Sequence, residues 1–177
     1  MSRKVPADWE IYEDIHGRYM RIALTQGQYA LVDEWHYDRL NAFNWHAHFD
    51  PHTKSFYAVR RASDGKRKQI AIQMHRSIAL NADNKDHKDG NGLNNREHNL
   101  RPASPSQNAC NRKTRCTSKT GYKGVTCRTG VEGYLVRITV RGKTMALGRT
   151  KTAKEGAALY NAAALHYHGE FARLNAL

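Results

Sequence analysis

Apolar positions along the chain change their period several times. From Arg18 to Met74 they come in short alternating runs. "YMRIAL" and "YALV" around the turn "TQGQ" predict two strands, and "WHAHF", "FYAVRRA" and "KQIAIQM" predict three more, with "SDGK" as the hairpin turn between the last two. One stretch here is helical. "DEWHYDRLNAF" spaces Trp35, Leu40 and Phe43 at helical intervals behind Asp33, a candidate N-cap. Trp9, Trp35 and Trp45 read as core anchors. "HRSIALNA" predicts a short helix leading into the polar run "KDHKDGNGLNNREHNLRPASPSQN", in which "KDH" and "NLRPA" predict strands. "ASPSQNACNRK" carries a specific helix start, with Ser104 as N-cap, Pro105 at N1 and Gln107 completing a capping box at N3.

"TRCTSKTG" has no apolar period and predicts a connector. After it, "YKGVTCR", "GYLVRITV" and "KTMALG" predict three strands, the last two joined by the two-residue turn "RG". "TAKEGAALYNAAALHYHG" predicts a helix from the N-cap Thr152, with Glu155 as its capping-box partner, to the stop Gly169. Gly156, Leu159, Tyr160, Ala163 and Tyr167 recur on it at helical spacing. The expectation is an α+β protein: a strand-rich block over 1–73, a strand–loop–strand–helix centre over 74–113, a linker over 114–121, and a three-stranded antiparallel sheet packed on one helix over 122–177.

Charge adds a direction. The 177 residues carry a formal net charge of +13. Residues 1–100 hold 15 Lys+Arg against 13 Asp+Glu, whereas residues 101–177 hold 14 against 3. A basic half this lopsided points to a polyanionic partner, the bland alternative being a basic surface kept for solubility. The three cysteines, Cys110, Cys116 and Cys127, form neither a disulfide framework nor a paired C-x-x-C zinc pattern. The first residues lack a signal-peptide core, and no segment approaches the roughly 20 apolar residues of a membrane span. A soluble protein of a reducing cytoplasm is expected.

The polar loop allows three readings. It is a surface loop, a calcium loop or a phosphodiesterase site. The calcium spacing fails in both registers: from Asp86 position three is Lys88, and from Asp89 position five is Leu93. A phosphodiesterase needs a base to activate water and a cation beside the phosphate. Histidine suits the first task near neutral pH. A carboxylate and an amide oxygen suit magnesium. Asp86, His87 and Asn108 supply one of each.

"DHKDGNGLNNREHNL" followed by "SQN" closely resembles the HNH endonuclease motif in its phage and intron homing form, over roughly 74–113. The resemblance implies a ββα-metal centre using Mg2+, with Mn2+ as a substitute. It makes His87 the general base and Asp86 and Asn108 the metal ligands. Asn99 becomes the central asparagine that shapes the hairpin. It also implies 5′-phosphate and 3′-hydroxyl ends. "MHR" resembles the family's lead-in and offers His75 and Arg76 to the phosphate, a structural histidine being the alternative. "YKGV" with the strands and helix after it resembles the APETALA-type (ethylene-response-factor) DNA-binding domain. That resemblance implies a sheet in the major groove, with Lys123, Arg128, Arg137 and Arg141 as contacts. It departs at Thr126 and Ala146, where the plant motif has arginine and tryptophan, and at Tyr134, where tryptophan is frequent.

Together these lead to a metal-dependent, double-stranded-DNA endonuclease of homing type, monomeric and acting in a bacterial or phage-infected cell. The rival is a non-catalytic DNA-binding regulator that keeps the motif as scaffold; an RNA-binding module is a third option. His46, His48 and His52 offer a zinc reading with no nearby cysteine to complete it, against a plain polar strand face. Arg60, Arg61, Arg67 and Lys68 flank a hairpin and suit either phosphate or solvent.

Overall fold

A computed structural model describes residues 10–63, 65, 69–78, 85–112 and 119–177. Trp9, Arg67, Lys68, Cys116, the end of "HRSIALNA", Asp64 and Lys66 of "SDGK" and most of the 114–121 linker lie outside these residues. The chain is α+β, with several small antiparallel sheets. It divides into two compact units, Met1–Pro102 and Ala103–Leu177.

The first unit holds two three-stranded antiparallel sheets. β1 (Tyr12–Asp14), β2 (Gly17–Ala23) and β3 (Tyr29–Asp33) form one; β4 (His46–Asp50), β5 (Ser55–Ser63) and β6 (Gln69–Gln73) form the other. α1 (Glu34–Asn41) follows β3, and α2 (Met74–Ile78) follows β6. The alternation works as expected: Met20, Ile22, Ala30 and Val32 point inward from paired strands. Ile22, Ala30 and Val32 meet Leu40, Trp45, Ala58, Met74, Ile78 and Leu93 in one core. Each large aliphatic side chain fully buried here contributes about 1.5–3 kcal/mol. Trp45 fills the role expected of it and donates its indole N–H to Leu40 O at 2.7 Å. Trp35 does not; it is 62% exposed, on the outer face of a two-turn helix that buries only Leu40.

Asp33 stands at the N-cap of α1, but its side chain makes no cap bond. Its carboxylate instead accepts from Arg96 Nε at 3.1 Å and from the Glu97 backbone N–H at 2.7 Å. A long-range guanidinium takes the place of the local cap.

A two-stranded ladder, β7 (Lys85–His87) with β8 (Leu100–Pro102), closes this unit. The residues between them attach to the core. Leu31 N–H donates to Leu93 O, and Asn95 N–H donates to Leu31 O, adding a short parallel bridge to β3. Gly92 lies flat on β5. A Cβ there would sit 2.5 Å from Phe56 O and from the Tyr57 ring, and its N–H donates to Ser55 Oγ.

The second unit opens with α3 (Pro105–Asn111), capped at Ser104 by the full box with Gln107. β9 (Val125–Arg128), β10 (Val131–Val140) and β11 (Lys143–Thr150) form a sheet with β10 in the centre, and α4 (Ala153–His168) packs on it. Arg141 and Gly142 both have positive φ, the pair a two-residue hairpin requires. The Thr152–Glu155 box opens α4, and Gly169 ends it at φ 53°. The helix's buried stripe is Gly156, Ala157, Tyr160 and Ala164. It is rotated from the expected set, leaving Leu159 and Tyr167 outside, because small residues let the helix approach closely along Gly156 and Ala157.

Gly124 sits under Tyr160. Its φ is +77°, and a Cβ would lie 2.1 Å from the tyrosine ring and 2.6 Å from Arg137 O. We expect Gly124→Ala to destabilise this unit by about 1–3 kcal/mol through overpacking, with about 1–2 kcal/mol more from the left-handed backbone. Thermal unfolding measures this, and an unchanged midpoint would contradict the packing described. Among the described residues, no helix is long and apolar enough to cross a membrane.

Candidate active site

His87 ends β7 and is 5% exposed. Its ring packs edge-on against His75 at 5.1 Å and against Tyr57 at 5.9 Å between centroids. Burial pushes its pKa down, opposed by the Asn95 hydrogen bond and by the charges of Asp89 and Asp86. The imidazole is therefore neutral near pH 7, the form a base needs.

Which nitrogen carries the proton follows from Asn95. This residue is fully buried. Its Nδ2 donates to Leu93 O at 3.2 Å, and a carbonyl only accepts. Oδ1 therefore faces His87 Nε2, at 3.3 Å. Nε2 must be the donor, which leaves the lone pair on Nδ1. We expect Asn95→Leu to release this constraint. Nitrogen-15 NMR of wild type should show a His87 Nε2–H tautomer, with mixed tautomers in the variant. Identical ring shifts in both proteins would contradict the assignment.

Asp86, next to His87, faces a different group. It lies directly opposite Arg101 in the ladder. Arg101 donates to its Oδ2 through Nε at 2.9 Å and a terminal nitrogen at 2.6 Å, and both side chains are buried. Neighbouring strand residues point to opposite faces. The structure duly gives Asp86 to the cross-strand arginine and His87 to the aromatic pair.

Asn99 holds the loop between β7 and β8. Its Oδ1 accepts from Asp89 N–H, while its Nδ2 donates to Asp89 Oδ1 and to Asn94 O. Lys88 N–H donates to Asn99 O. Asn94 Nδ2 also reaches Asp89 Oδ2. The run of asparagines and aspartates is thus a hydrogen-bonded loop core that fixes the chain after His87.

His75 is buried, not surface-facing. Desolvation first, then the charges of His87, Arg76 and Lys85, push its pKa down to about 3. It stands as a neutral wall beside His87, while Arg76 is exposed. Among the described residues, no three His, Cys, Asp or Glu side chains gather as a metal cluster; His46 and His48 share one face of β4.

Asn108 is in the second unit. It lies within α3, its N–H donating to Ser104 O at 2.9 Å. The same unit carries the four basic residues read as DNA contacts. Arg128 on β9 and Arg137 on β10 are exposed on the sheet face away from α4, with Thr126, Leu135 and Thr139; Arg141 is exposed in the turn. Arg149 on β11 pairs with Leu135 and joins that face. Lys123 sits differently: its Nζ donates to Cys110 O and Arg112 O.

Sequence reading missed Asn95, Arg101 and Arg149. Arg101 becomes visible once "KDH" and "LRP" are set in register, and Arg149 once β11 is paired. Asn95 had no local signal among so many amides.

No family model matches the chain. Over 90 residues, or 51% of its length, the chain is 34% identical to a protein of Acanthamoeba polyphaga mimivirus named an uncharacterized HNH endonuclease. It spans 46% of that curated relative, about half.

Proposed function

We propose that the chain is a metal-dependent endonuclease that hydrolyses phosphodiester bonds of double-stranded DNA, of the HNH homing type. One observation carries the reading: His87, within the stretch that resembles the motif, is a buried neutral imidazole whose tautomer Asn95 sets. A merely polar loop has no use for such a group. The mimiviral relative's name adds support, and the basic second half suits a polyanion.

In this reading water attacks phosphorus, its proton passes to His87 Nδ1, and the bond to the 3′-oxygen breaks, that oxygen taking a proton from a solvent water to leave as the 3′-hydroxyl. His75 and Tyr57 keep the imidazole in place and exclude bulk water. The donor set fits a hard divalent cation, since Asp86 offers a carboxylate oxygen and Asn108 an amide oxygen. The fit requires Asp86 to share its carboxylate between Arg101 and the ion. Mg2+ held by these two residues would supply positive charge to the phosphate and the departing oxygen. Arg128, Arg137, Arg141 and Arg149 hold the duplex against the exposed sheet face, as arginines do in groove recognition. One site per chain suits a monomer that nicks one strand.

Arg101 on Asp86 also favours the rival: a carboxylate already paired suits a DNA-binding scaffold that no longer cuts. Sequencing ends produced from a duplex DNA library in Mg2+ tests the proposal. Recurrent breaks with 5′-phosphate and 3′-hydroxyl ends support it. Bound but uncut DNA favours the regulator.

A further inference from the structure

We propose that Lys123 is a positioning residue for Asn108: its ammonium closes the C-terminal end of α3 and ties that helix, through Asn175, to α4. Its consequence for cleavage rests on the nuclease reading; its structural part does not.

α3 has seven residues, too few to persist on its own. Its first N–H groups are served by the Ser104–Gln107 box. Its last carbonyls lack intrahelical donors. Lys123 Nζ donates to one of them, Cys110 O, and, at 2.9 Å, to the carbonyl of the C-cap Arg112. A lysine there also opposes the negative end of the helix dipole. The group is half-buried, and desolvation lowers its pKa to about 8. Nothing about this placement resembles a solvated phosphate contact.

The lysine is itself held. Its backbone N–H donates to Asn175 Oδ1 at 2.7 Å, and its carbonyl accepts from Asn175 Nδ2 at 3.1 Å. Asn175 forms a second reciprocal pair with Asn161, on α4: Asn175 N–H donates to Asn161 Oδ1, and Asn161 Nδ2 donates to Asn175 O. α3 also packs on the turn Gly169–Phe171 that ends α4. A chain of hydrogen bonds thus runs from α4 through Asn161, Asn175 and Lys123 to the helix that carries Asn108. The candidate ligand is braced by the same unit whose sheet face is basic.

A phosphate contact and a positioning residue differ in what they control. The first sets affinity and salt dependence. The second sets turnover and the order of α3. In the full chain, Lys123→Met should leave duplex affinity unchanged and lower cleavage at saturating duplex about 10- to 100-fold, the usual effect of losing support behind a metal ligand. Lys123→Arg should restore most of the rate, and Asn175→Ala should act in the same direction as Lys123→Met. Amide hydrogens of residues 108–111 should exchange faster in Lys123→Met while those of β9–β11 keep their protection. Weaker affinity with an unchanged saturated rate would overturn the proposal, as would unchanged exchange in α3. Wild-type protein gives an arm that needs no variant. Duplex DNA should not alter reductive methylation of Lys123, and protection by duplex would make it a DNA contact. If wild type cuts no duplex in Mg2+ or Mn2+, the nuclease reading falls while the exchange and methylation arms still decide the role of Lys123.

Discussion

Replacing His87 with alanine should lower single-turnover cleavage of duplex DNA by about 10²- to 10⁴-fold, the range a positioned general base supplies. Affinity for the same duplex should stay near wild type. The reason is in the ring's surroundings. Imidazole buried against His75 and Tyr57 is uncharged, so it contributes no electrostatic attraction to DNA. In the proposed reaction its contribution is the lone pair on Nδ1, kept there by Asn95. Added imidazole should restore part of the rate in His87→Ala, because the deletion leaves a space of matching shape. A variant that cuts as fast as wild type would remove His87 from the chemistry. One that loses DNA affinity in step with cleavage would make it a binding residue.

The second large effect concerns stability. Arg96→Met should destabilise the first unit by about 3–5 kcal/mol, the cost of leaving a buried charge without its partner. Arg96 is 3% exposed and Asp33 2%. The guanidinium bonds Asp33 through Nε, both carboxylate oxygens of Asp14, and Gly17 O. It also lies 4.4 Å over the Tyr19 ring. One side chain thereby joins the β1–β2 turn, the β3–α1 junction and the loop that holds Asn95 and Asn99. Denaturant unfolding measures the loss. Pairing Arg96→Met with Asp33→Asn should recover part of it, because the second change removes the stranded charge. Equal losses in the single and double variants would contradict this.

Asp14 makes the same network pH-dependent. The Arg96 hydrogen bonds first, then the His16 backbone N–H, hold its pKa at about 2. An unfolded aspartate titrates at about 3.9. A carboxyl depressed on folding stabilises the fold above its unfolded pKa. That contribution is lost as pH falls from about 4 toward 2, and it should vanish from the acid-unfolding profile of Asp14→Asn.

Much of the second unit was legible because its signals are local. Ser104 with Gln107 and Thr152 with Glu155 are capping pairs three residues apart, and "RG" closes a hairpin within itself. Alternation is likewise local: along β10, Val136 and Ile138 are buried and Arg137 and Thr139 exposed. Signals failed where a distant group won. Asp33 looked like a helix cap but serves Arg96, 63 residues on. Trp35 had the right spacing for a core but sits on a helix too short to bury it. Lys123 looked like a surface base beside a sheet. Its place at the end of α3 depends on Asn175, 52 residues away. At the candidate site, the motif resemblance nominated Asp86, His87, Asn99 and Asn108. The tautomer set by Asn95 and the ion pair of Asp86 with Arg101 needed the folded register.

The most direct measurement follows supercoiled plasmid through incubation with wild-type protein, in Mg2+ and in excess EDTA. The account predicts nicked circles in Mg2+, intact plasmid in EDTA, and recovery of nicking when Mg2+ is restored. Plasmid that is bound yet stays supercoiled in both Mg2+ and Mn2+ would contradict it.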